Sequence, residues 1–247
     1  MNVQRQSIIA LVPAAGSGTR LMAGVDKAFF ELEGKPLLFW TLRALERVPE
    51  IDEIIPAVKA ERIAQTLDMA RLGGLKKIRR IARGGKERQD SVSNALALVP
   101  AQAGIVLIHD AARPFAAAAF ISRLIAALEP PFDGVIPGIM PRDTIKEVAS
   151  SDNGQFVLST PDRSRLVAVQ TPQVFRCQAI KAAYELASKE GFYSTDDSAL
   201  IEAAGGKVRV VPGEPGNIKL TTPEDIVTAK EFFRSAWAGP LGTGTLG

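Results

Sequence analysis

A glycine-containing loop that follows an apolar stretch is the first feature of this sequence that could do chemistry. Residues 7–12 are mostly apolar and of strand length, and Gly16 and Gly18 come shortly after them. Glycines let backbone N–H groups approach a phosphate closely, because no Cβ stands in the way. Arg20 and Lys27 add fixed positive charge to the same segment. This pattern is typical of a loop that holds a nucleoside triphosphate.

Single residues exclude two better-known phosphate loops. A Walker A loop ends in Gly-Lys-Ser/Thr, whereas here Gly18 is followed by Thr19 and Arg20. A dinucleotide fingerprint requires a third glycine at position 21, which is occupied by Leu21. An ordinary strand-to-loop turn with two exposed cations remains an alternative for this stretch taken alone.

Asp110 is a second candidate, because it comes directly after another apolar stretch, residues 104–109. A carboxylate at the end of a buried strand and near a phosphate loop is a usual ligand for Mg²⁺, which prefers oxygen donors, water and substrate phosphates. Asp110 could instead cap the next helix or pair with Arg113, and both interpretations stay open. The neighbouring His109 is expected to pack against the sheet and not to bind a ligand.

Two further cations complete the set of residues that could take part in a reaction. Lys219 follows a loop rich in glycine and proline, and Arg163 lies in a polar stretch; each is unremarkable by itself. Together with Arg20 and Lys27 they make four cations, and no nucleophile-plus-base pair accompanies them. That profile is typical of phosphoryl or nucleotidyl transfer, in which the protein positions the reactants and stabilises charge.

Length and composition narrow the class of protein. At 247 residues, with 46% hydrophobic and 23% charged residues, the chain has the composition of an ordinary soluble globular protein and room for one large α/β domain or two small ones. The formal net charge of +3 is too small to predict nucleic-acid binding. The basic run 76–80 is expected to be the solvated edge of a strand. We therefore expect no nucleic-acid partner.

Cysteine usage and the first residues point to the cytoplasm. Cys177 is the only cysteine and His109 the only histidine, which excludes an internal disulfide framework and a clustered zinc site. Residues 1–6 are too short and polar for a signal peptide, and no apolar run reaches membrane-spanning length. We expect a cytoplasmic protein without a membrane partner, in which Cys177 is a small buried side chain.

Strand-like and helix-like segments alternate along most of the chain. This alternation predicts an α/β fold with a mainly parallel sheet and helices on both faces, in which ligands bind beyond the carboxyl ends of the strands. A single domain over residues 1–238 and a flexible tail at 239–247 are expected. The predicted strands are 7–13, 53–58, 77–82, 104–109, 134–137, 166–170 and 207–212. The predicted helices are 36–48, 60–72, 90–98, 115–128, 178–189, 199–204 and 223–236. Thr195 is the candidate N-cap of the helix 199–204.

Residues 142–160 interrupt this alternation. Residues 143–148 and 155–159 flank the polar stretch 150–154, which predicts a two-stranded β-arm with a polar turn. An isolated hairpin is only marginally stable in water, so a protruding arm would need a partner surface. A hairpin folded back on its own domain is equally compatible with the sequence.

Seven short motifs, taken together, resemble the 2-C-methyl-D-erythritol 4-phosphate cytidylyltransferase family. They occur in the family's order and extend the resemblance over about residues 7–233. The motifs are residues 13–21 with Lys27, 84–91, 109–114, 143–146, 170–173, 195–197 and 217–219. The resemblance implies a Rossmann-like nucleotidyltransferase fold with a protruding β-arm. It also implies a reaction of CTP with methylerythritol phosphate, Mg²⁺ as cofactor and a homodimer in which the arm reaches the neighbouring subunit.

The resemblance also implies roles for individual residues. The cytidine would be held, largely through backbone groups, by Ala14, Ala15, Gly16, Gly85 and Ser91. The triphosphate and the charge that develops at its α-phosphorus would be held by Arg20, Lys27 and Lys219. Asp110 would bind Mg²⁺ and sugar hydroxyls, with Arg113 supporting its loop. The methylerythritol phosphate would be held by Thr144, Thr171 and Arg163, the last contributed across the dimer.

Two departures from the family pattern and one close competitor accompany this interpretation. The family usually has Pro-Lys-Gln where this chain has Asp26, Lys27 and Ala28, and Asp26 either weakens the contact of the lysine with the triphosphate or points away. Lys86 stands where a small or acidic residue is expected. A sister enzyme that acts on ribitol 5-phosphate shares most of these motifs, and residues 142–171 would discriminate between the two.

Overall fold

Residues 6–16, 26–151 and 154–237 are described by the structure, a computed structural model; Arg20 and the tail 239–247 lie outside this part of the chain. The strands are β1 Ser7–Pro13, β2 Glu31–Leu32, β3 Lys35–Pro36, β4 Glu53–Val58, β5 Ala82–Arg83, β6 Ala103–Ile108, β7 Gly134–Ile139, β8 Glu147–Ser151, β9 Gly154–Ser159, β10 Ala168–Val169, β11 Gln173–Arg176 and β12 Val208–Pro212. The helices are α1 Leu37–Glu46, α2 Ile63–Leu72, α3 Arg88–Leu96, α4 Ala118–Ala126, α5 Cys177–Glu190, α6 Asp197–Ala203 and α7 Pro223–Trp237.

The main sheet has the strand order β10-β7-β11-β6-β1-β4-β5, and β12 pairs with the other edge of β7. The pairs of β1 with β4 and β6, of β4 with β5 and of β7 with β12 are parallel. Strand β11 is antiparallel to both of its neighbours, β6 and β7. The expected mainly parallel α/β architecture is confirmed, and β11, which the sequence pattern missed, is its main exception.

Side chains of β1 alternate between two hydrophobic layers, one on each face of the sheet. Ala10 and Val12 pack with α1, α2 and α4. Ile9 and Leu11 pack with α3, α5 and α6. This period-two alternation follows from the pleat of a strand, and both sets are buried because helices cover both faces. Cys177 belongs to the second layer and is a buried free thiol, as expected.

The direction of the strands gathers several loops at one edge of the sheet. The parallel strands β1, β4 and β6 all end at this edge, and β12 ends there too. Because β11 is antiparallel, its beginning lies beside the end of β6, with Gln173 paired to Ile108. Segments far apart in the chain, namely residues 14–16, 109–113, 170–171 and 213–222, therefore meet at the same place.

Further details differ from the sequence-based expectations, and the strand expected at 166–170 is only the two-residue β10. The strand expected at 77–82 is reduced to β5 and a single bridge from Ile78 to Ile54, at the edge of the sheet. There the Nε of Arg80 donates to Glu53 Oε1 at 2.7 Å, and the two side chains form an ion pair. Thr195 does not cap α6: Asp196 does, because its carboxylate accepts from the backbone N–H of Ala199.

The predicted arm is a hairpin of β8 and β9, which form a separate two-stranded sheet. Its apolar side chains remain exposed, with Phe156 52% and Val157 56% accessible to solvent. Within the described residues, no helix is both long and apolar enough to cross a lipid bilayer.

Candidate active site

A cleft of about 170 Å³ opens at the carboxyl ends of β1 and β6. Both strands deliver a loop to it, and the start of α3 and the segment after β12 close its sides. The lining residues are Pro13, Ala14, Ala15, Gly16, Lys27, Ala28, Arg88, Ser91, Asp110, Ala111, Ala112 and Lys219. The position agrees with the general rule for ligand sites in open α/β sheets.

The two glycines before α3 allow its first turn to approach the loop after β1. A Cβ on Gly84 would lie 2.1 Å from the Cβ of Ala15, and a Cβ on Gly85 would lie 2.1 Å from that of Asp90. No larger residue fits either position without moving the backbone. The backbone N–H of Gly85 donates to Ser91 Oγ at 3.0 Å, which ties this loop to the helix. The close approach places the start of α3 at the wall of the cleft.

Asp110 is held between two cations at the floor of the cleft. Its Oδ1 lies 3.0 Å from Arg88 Nε and its Oδ2 lies 2.7 Å from Lys219 Nζ. Burial alone would raise the pKa of Asp110, but the charges of Arg88 and Lys219 outweigh it and hold this pKa well below its usual range. The sequence left a cap or a pair with Arg113 open, and the carboxylate instead pairs with these two more distant residues.

A buried carboxylate on α6 holds Arg88 in this position. Asp197, whose side chain is 1% exposed, accepts from Arg88 Nη2 at 2.6 Å. Its other oxygen accepts from the Tyr184 hydroxyl at 2.5 Å, and burial together with Asp197 raises the pKa of this hydroxyl well above its usual range. Burial disfavours the charge of Arg88, yet the carboxylates of Asp197 and Asp110 raise its pKa well above the usual value. The Arg88 guanidinium is thus fixed between two carboxylates while it faces the cleft.

Beneath Asp110, a buried network fixes the end of β6. The hydroxyl of Thr171 accepts from the backbone N–H of Asp110 at 3.0 Å and lies 3.1 Å from His109 Nδ1. His109 Nε2 lies 2.9 Å from the carbonyl oxygen of Arg113, which can only accept, so this nitrogen carries the proton. Burial lowers the pKa of His109 to about 4, which keeps the imidazole neutral near pH 7. His109 is therefore structural, as the sequence suggested.

Lys219 is positioned by hydrogen bonds on both sides of it. Asn217 donates from Nδ2 to the carbonyl of Thr171 at 2.8 Å, and its own carbonyl accepts from Arg113 Nη1 at 2.6 Å. The N–H of Leu220 donates to the carbonyl of Ala112 at 2.9 Å. These contacts clamp the segment after β12 onto the loop after β6, and the Lys219 ammonium reaches Asp110 from there.

The predicted site residues fall into three groups in the structure. Seven of them line the cleft: Ala14, Ala15, Gly16, Lys27, Ser91, Asp110 and Lys219. Gly85, Arg113 and Thr171 stand directly behind these residues and hold them through the hydrogen bonds given above. Thr144 and Arg163 lie exposed at the base of the arm and do not line this cleft, and Arg20 lies outside the described residues.

Sequence reasoning assigned no role to three residues that the structure places in or behind the cleft. Arg88 lies in the motif 84–91, and its position in the first turn of a helix at the sheet edge could have marked it. Asp197 lies in the motif 195–197. Since one acidic residue is enough to cap a helix, the second one could have indicated a further role. Tyr184 carries no local signal, because only the packing of α5 against α6 brings it to Asp197.

Asp110 also provides the test of whether the site fits a divalent cation. The described residues contain no cluster of three or more His, Cys, Asp or Glu side chains that could hold a metal. Mg²⁺ does not require such a cluster when it is bound through one carboxylate, waters and substrate phosphates. Asp110 is an ionised carboxylate in a cleft that Lys27, Arg88 and Lys219 also line, so the residues fit Mg²⁺ that arrives with a polyphosphate when Arg88 or Lys219 turns from the carboxylate to the phosphates.

Comparisons with known proteins agree with the geometry. A family model described as IspD, 2-C-methyl-D-erythritol 4-phosphate cytidylyltransferase, matches residues 8–235. The chain is 41% identical over 233 residues to the 2-C-methyl-D-erythritol 4-phosphate cytidylyltransferase of Acidobacterium capsulatum, with 92% of this chain and 97% of the relative covered. It is 42% identical over 231 residues to the enzyme of that name from Geobacillus kaustophilus, with 93% and 98% covered. The solved structure of 4-diphosphocytidyl-2C-methyl-D-erythritol synthase from Anaerococcus prevotii matches with a TM-score of 0.78 at 35% identity and covers 93% of this chain and 96% of that one.

Proposed function

This chain belongs to the 2-C-methyl-D-erythritol 4-phosphate cytidylyltransferase family, and we propose which role each residue of its cleft has in the family's reaction. The enzyme transfers the cytidylyl group of CTP to 2-C-methyl-D-erythritol 4-phosphate in isoprenoid precursor biosynthesis. A phosphate oxygen of the alcohol phosphate forms a bond to the α-phosphorus of CTP. The bond from that phosphorus to the bridging oxygen breaks, and pyrophosphate leaves.

The reaction needs charge stabilisation more than proton transfer. The attacking phosphate oxygen is already ionised near pH 7, so no general base is required. The barrier comes from bringing two anions together, and preorganised cations lower it. The observation that carries the proposal is that Lys27, Arg88 and Lys219 line one cleft. In the proposed mechanism these side chains bind the triphosphate and the charge that develops at its α-phosphorus, and Arg20 joins them.

Asp110 holds Mg²⁺ in this proposal. Bound together with CTP, the ion would neutralise phosphate charge and polarise the oxygens around the α-phosphorus. Arg88 and Lys219 lie against the two carboxylate oxygens and keep Asp110 ionised and oriented before substrate binds. Asp110 also contacts sugar hydroxyls, while Arg113 supports its loop from behind.

The cytidine is held mainly by the narrow loops around β1 and α3. Ala14, Ala15 and Gly16 line the cleft, and their small size lets a base approach the backbone closely. Ser91 lines the opposite wall, and Gly85 stands behind it and donates its backbone N–H to the Ser91 hydroxyl oxygen. Since CTP is a cytoplasmic nucleotide, the proposal places the enzyme in the cytoplasm.

The methylerythritol phosphate site is completed by a second copy of the chain. Thr144 and Arg163 lie exposed at the base of the arm and not in their own cleft, which supports their use in the cleft of a partner. The exposed apolar surface of β8 and β9, including Phe156 and Val157, supports a homodimer formed through the arm. Thr171 contributes by holding the backbone of Asp110.

Pyrophosphate release with paired substrates tests the reaction. We expect release from CTP with 2-C-methyl-D-erythritol 4-phosphate, little with ATP, GTP or UTP, and loss of activity when EDTA removes divalent cations. Ribitol 5-phosphate serves as the competing acceptor. Faster release with ribitol 5-phosphate would overturn the substrate assignment, and undiminished activity in EDTA would remove Mg²⁺ from the mechanism.

Mixing two impaired variants, assayed with the alcohol phosphate well below its KM, tests the shared site. Arg163→Ala and Lys219→Ala each impair both sites of their own homodimer, one through the arm and one within the cleft. In a mixed dimer, one site combines an intact arm with an intact cleft, so statistical mixing should restore roughly a quarter of wild-type activity. Activity that stays at the sum of the separate variants would show that Arg163 does not act across a dimer.

A further inference from the structure

The side chain that precedes Lys27 faces away from the cleft and is fixed by two cations. Asp26 forms an ion pair with Lys59 through Oδ1, and its Oδ2 accepts from Arg62 Nε at 3.1 Å. Its side chain is 14% exposed. The hydrogen bond from Lys59, joined by that from Arg62 and opposed by burial, lowers the pKa of Asp26, so the carboxylate is charged at neutral pH. Asp26 therefore does not lie against the substrate side of Lys27.

Lys59 and Arg62 lie in the segment that follows β4. Lys59 immediately precedes the short 3₁₀ turn Ala60–Arg62, and Arg62 is the last residue of that turn. Strand β4 is buried along its whole length and pairs with β1, the strand that carries the cleft loop. The ion pairs therefore connect the segment of Lys27 to the central sheet.

The turn that carries Lys27 is short and is also held by the buried side chains of Ala28 and Phe29. It is the three-residue 3₁₀ turn Lys27–Phe29, whose first backbone hydrogen bond runs from the N–H of Phe29 to the carbonyl of Asp26 at 2.8 Å. Such short turns are weak elements that rely on their surroundings. Phe29 supplies the second anchor: its ring is buried and lies 4.8 Å below the Arg62 guanidinium. Arg62 thus contacts both ends of the turn.

We infer that Asp26, with Lys59 and Arg62, is a clamp that positions Lys27 toward the triphosphate of the nucleotide. This inference rests on the role proposed above for Lys27. Asp26 is a positioning residue and does not touch substrate. Its negative charge is compensated by the two cations, so it does not repel the nucleotide. The opposite view, in which Asp26 weakens the positive field of the cleft, predicts effects of the opposite sign.

Steady-state kinetics and CTP titration of three variants decide between these views. Asp26→Asn keeps the size of the side chain but removes its charge, and we expect the KM for CTP to rise about 5- to 10-fold. The KM for the alcohol phosphate should stay within about twofold, since that substrate does not depend on Lys27 placement in the proposed site. Arg62→Gln should act in the same direction. The double variant should be no worse than the stronger single one, because both changes break the same clamp.

Asp68→Asn is the matched control. Asp68 forms an exposed ion pair with Arg71 on α2 at 3.8 Å and takes no part in the contacts of Asp26, so its loss should leave both KM values unchanged. A lowered KM for CTP in Asp26→Asn would overturn the clamp in favour of charge weakening. Additive effects of Asp26→Asn and Arg62→Gln, or an equal rise in both KM values, would also overturn it. Pyrophosphate release by the wild-type enzyme reports the proposed function separately, while the ratio of CTP affinities from calorimetry reports the clamp alone.

Discussion

Replacement of Asp197 by Asn tests whether the buried network behind the cleft serves catalysis or only stability. The substitution keeps the shape of the side chain and removes the charge that faces Arg88 at 2.6 Å. Breaking a buried ion pair by removal of one partner costs about 3–5 kcal/mol in general. Here Arg88 keeps Asp110 as a partner and its side chain is 25% exposed, so a loss near about 2–3 kcal/mol is expected.

This loss has two measurable consequences. For a domain of this size each kcal/mol shifts the melting temperature by about 2–4 °C, so circular dichroism should show a fall of about 4–12 °C. An Arg88 guanidinium held only by Asp110 should sample positions outside the cleft. At a temperature where the variant is fully folded, pyrophosphate release should therefore show a kcat/KM for CTP reduced about 10-fold.

The neighbouring substitution Asp196→Asn is the control. Asp196 caps α6 and contacts Gln173, but it does not line the cleft, and Asn is also a good N-cap residue. We expect a small change in melting temperature and an unchanged kcat/KM. A folded Asp197→Asn enzyme with wild-type kcat/KM would refute the positioning role of Asp197, whatever its melting temperature. An unchanged melting temperature would refute the energetic reasoning.

Three further predictions concern the cleft, the arm and the buried imidazole. Lys27→Ala and Lys219→Ala should lower kcat on the order of 100-fold, because each removes charge stabilisation from the cleft. Lys219→Ala should also lower the melting temperature, because the buried Asp110 carboxylate loses one of its two cationic partners. Arg163→Ala should raise the KM for the alcohol phosphate about 10-fold and leave the KM for CTP unchanged, because Arg163 lies exposed at the arm. The single imidazole NMR signal should titrate near pH 4, since burial lowers the pKa of His109 to about 4. The unfolded chain binds this proton below about pH 6.5, so the unfolding free energy should fall as pH drops from about 6.5 to 4.

Each of these predictions has an outcome that contradicts it. Near-normal turnover in Lys27→Ala would show that this lysine does not stabilise the charge that develops during the reaction. An equal rise of both KM values in Arg163→Ala would indicate a general disturbance of the arm. An imidazole that titrates near pH 6.5 would place His109 in contact with water, contrary to its burial.

The elements of the fold were largely predictable from local sequence. The strand Glu53–Val58 has the predicted bounds, and so does Ser7–Pro13. The spacing of apolar residues along a segment indicates which of its side chains are buried. In a sheet covered by helices on both faces, this local pattern is enough to distinguish strands from helices. The same holds for the hairpin at 147–159, whose polar turn is visible in the sequence. Motif order further predicted that residues 14–16, 110 and 219 serve one site.

Only the tertiary structure decided which charges are paired inside that site. Arg88 and Asp197 are 109 positions apart in the chain, and no local pattern predicts that they meet. They meet because β5 and α6 bring their segments to the same edge of the sheet. Likewise, Asp26 beside Lys27 looks like a neighbouring opposite charge in the sequence, whereas its carboxylate turns to Lys59 and Arg62. Electrostatic partners depend on distance in space and on burial, and both are set by how strands and helices pack, not by their order along the chain.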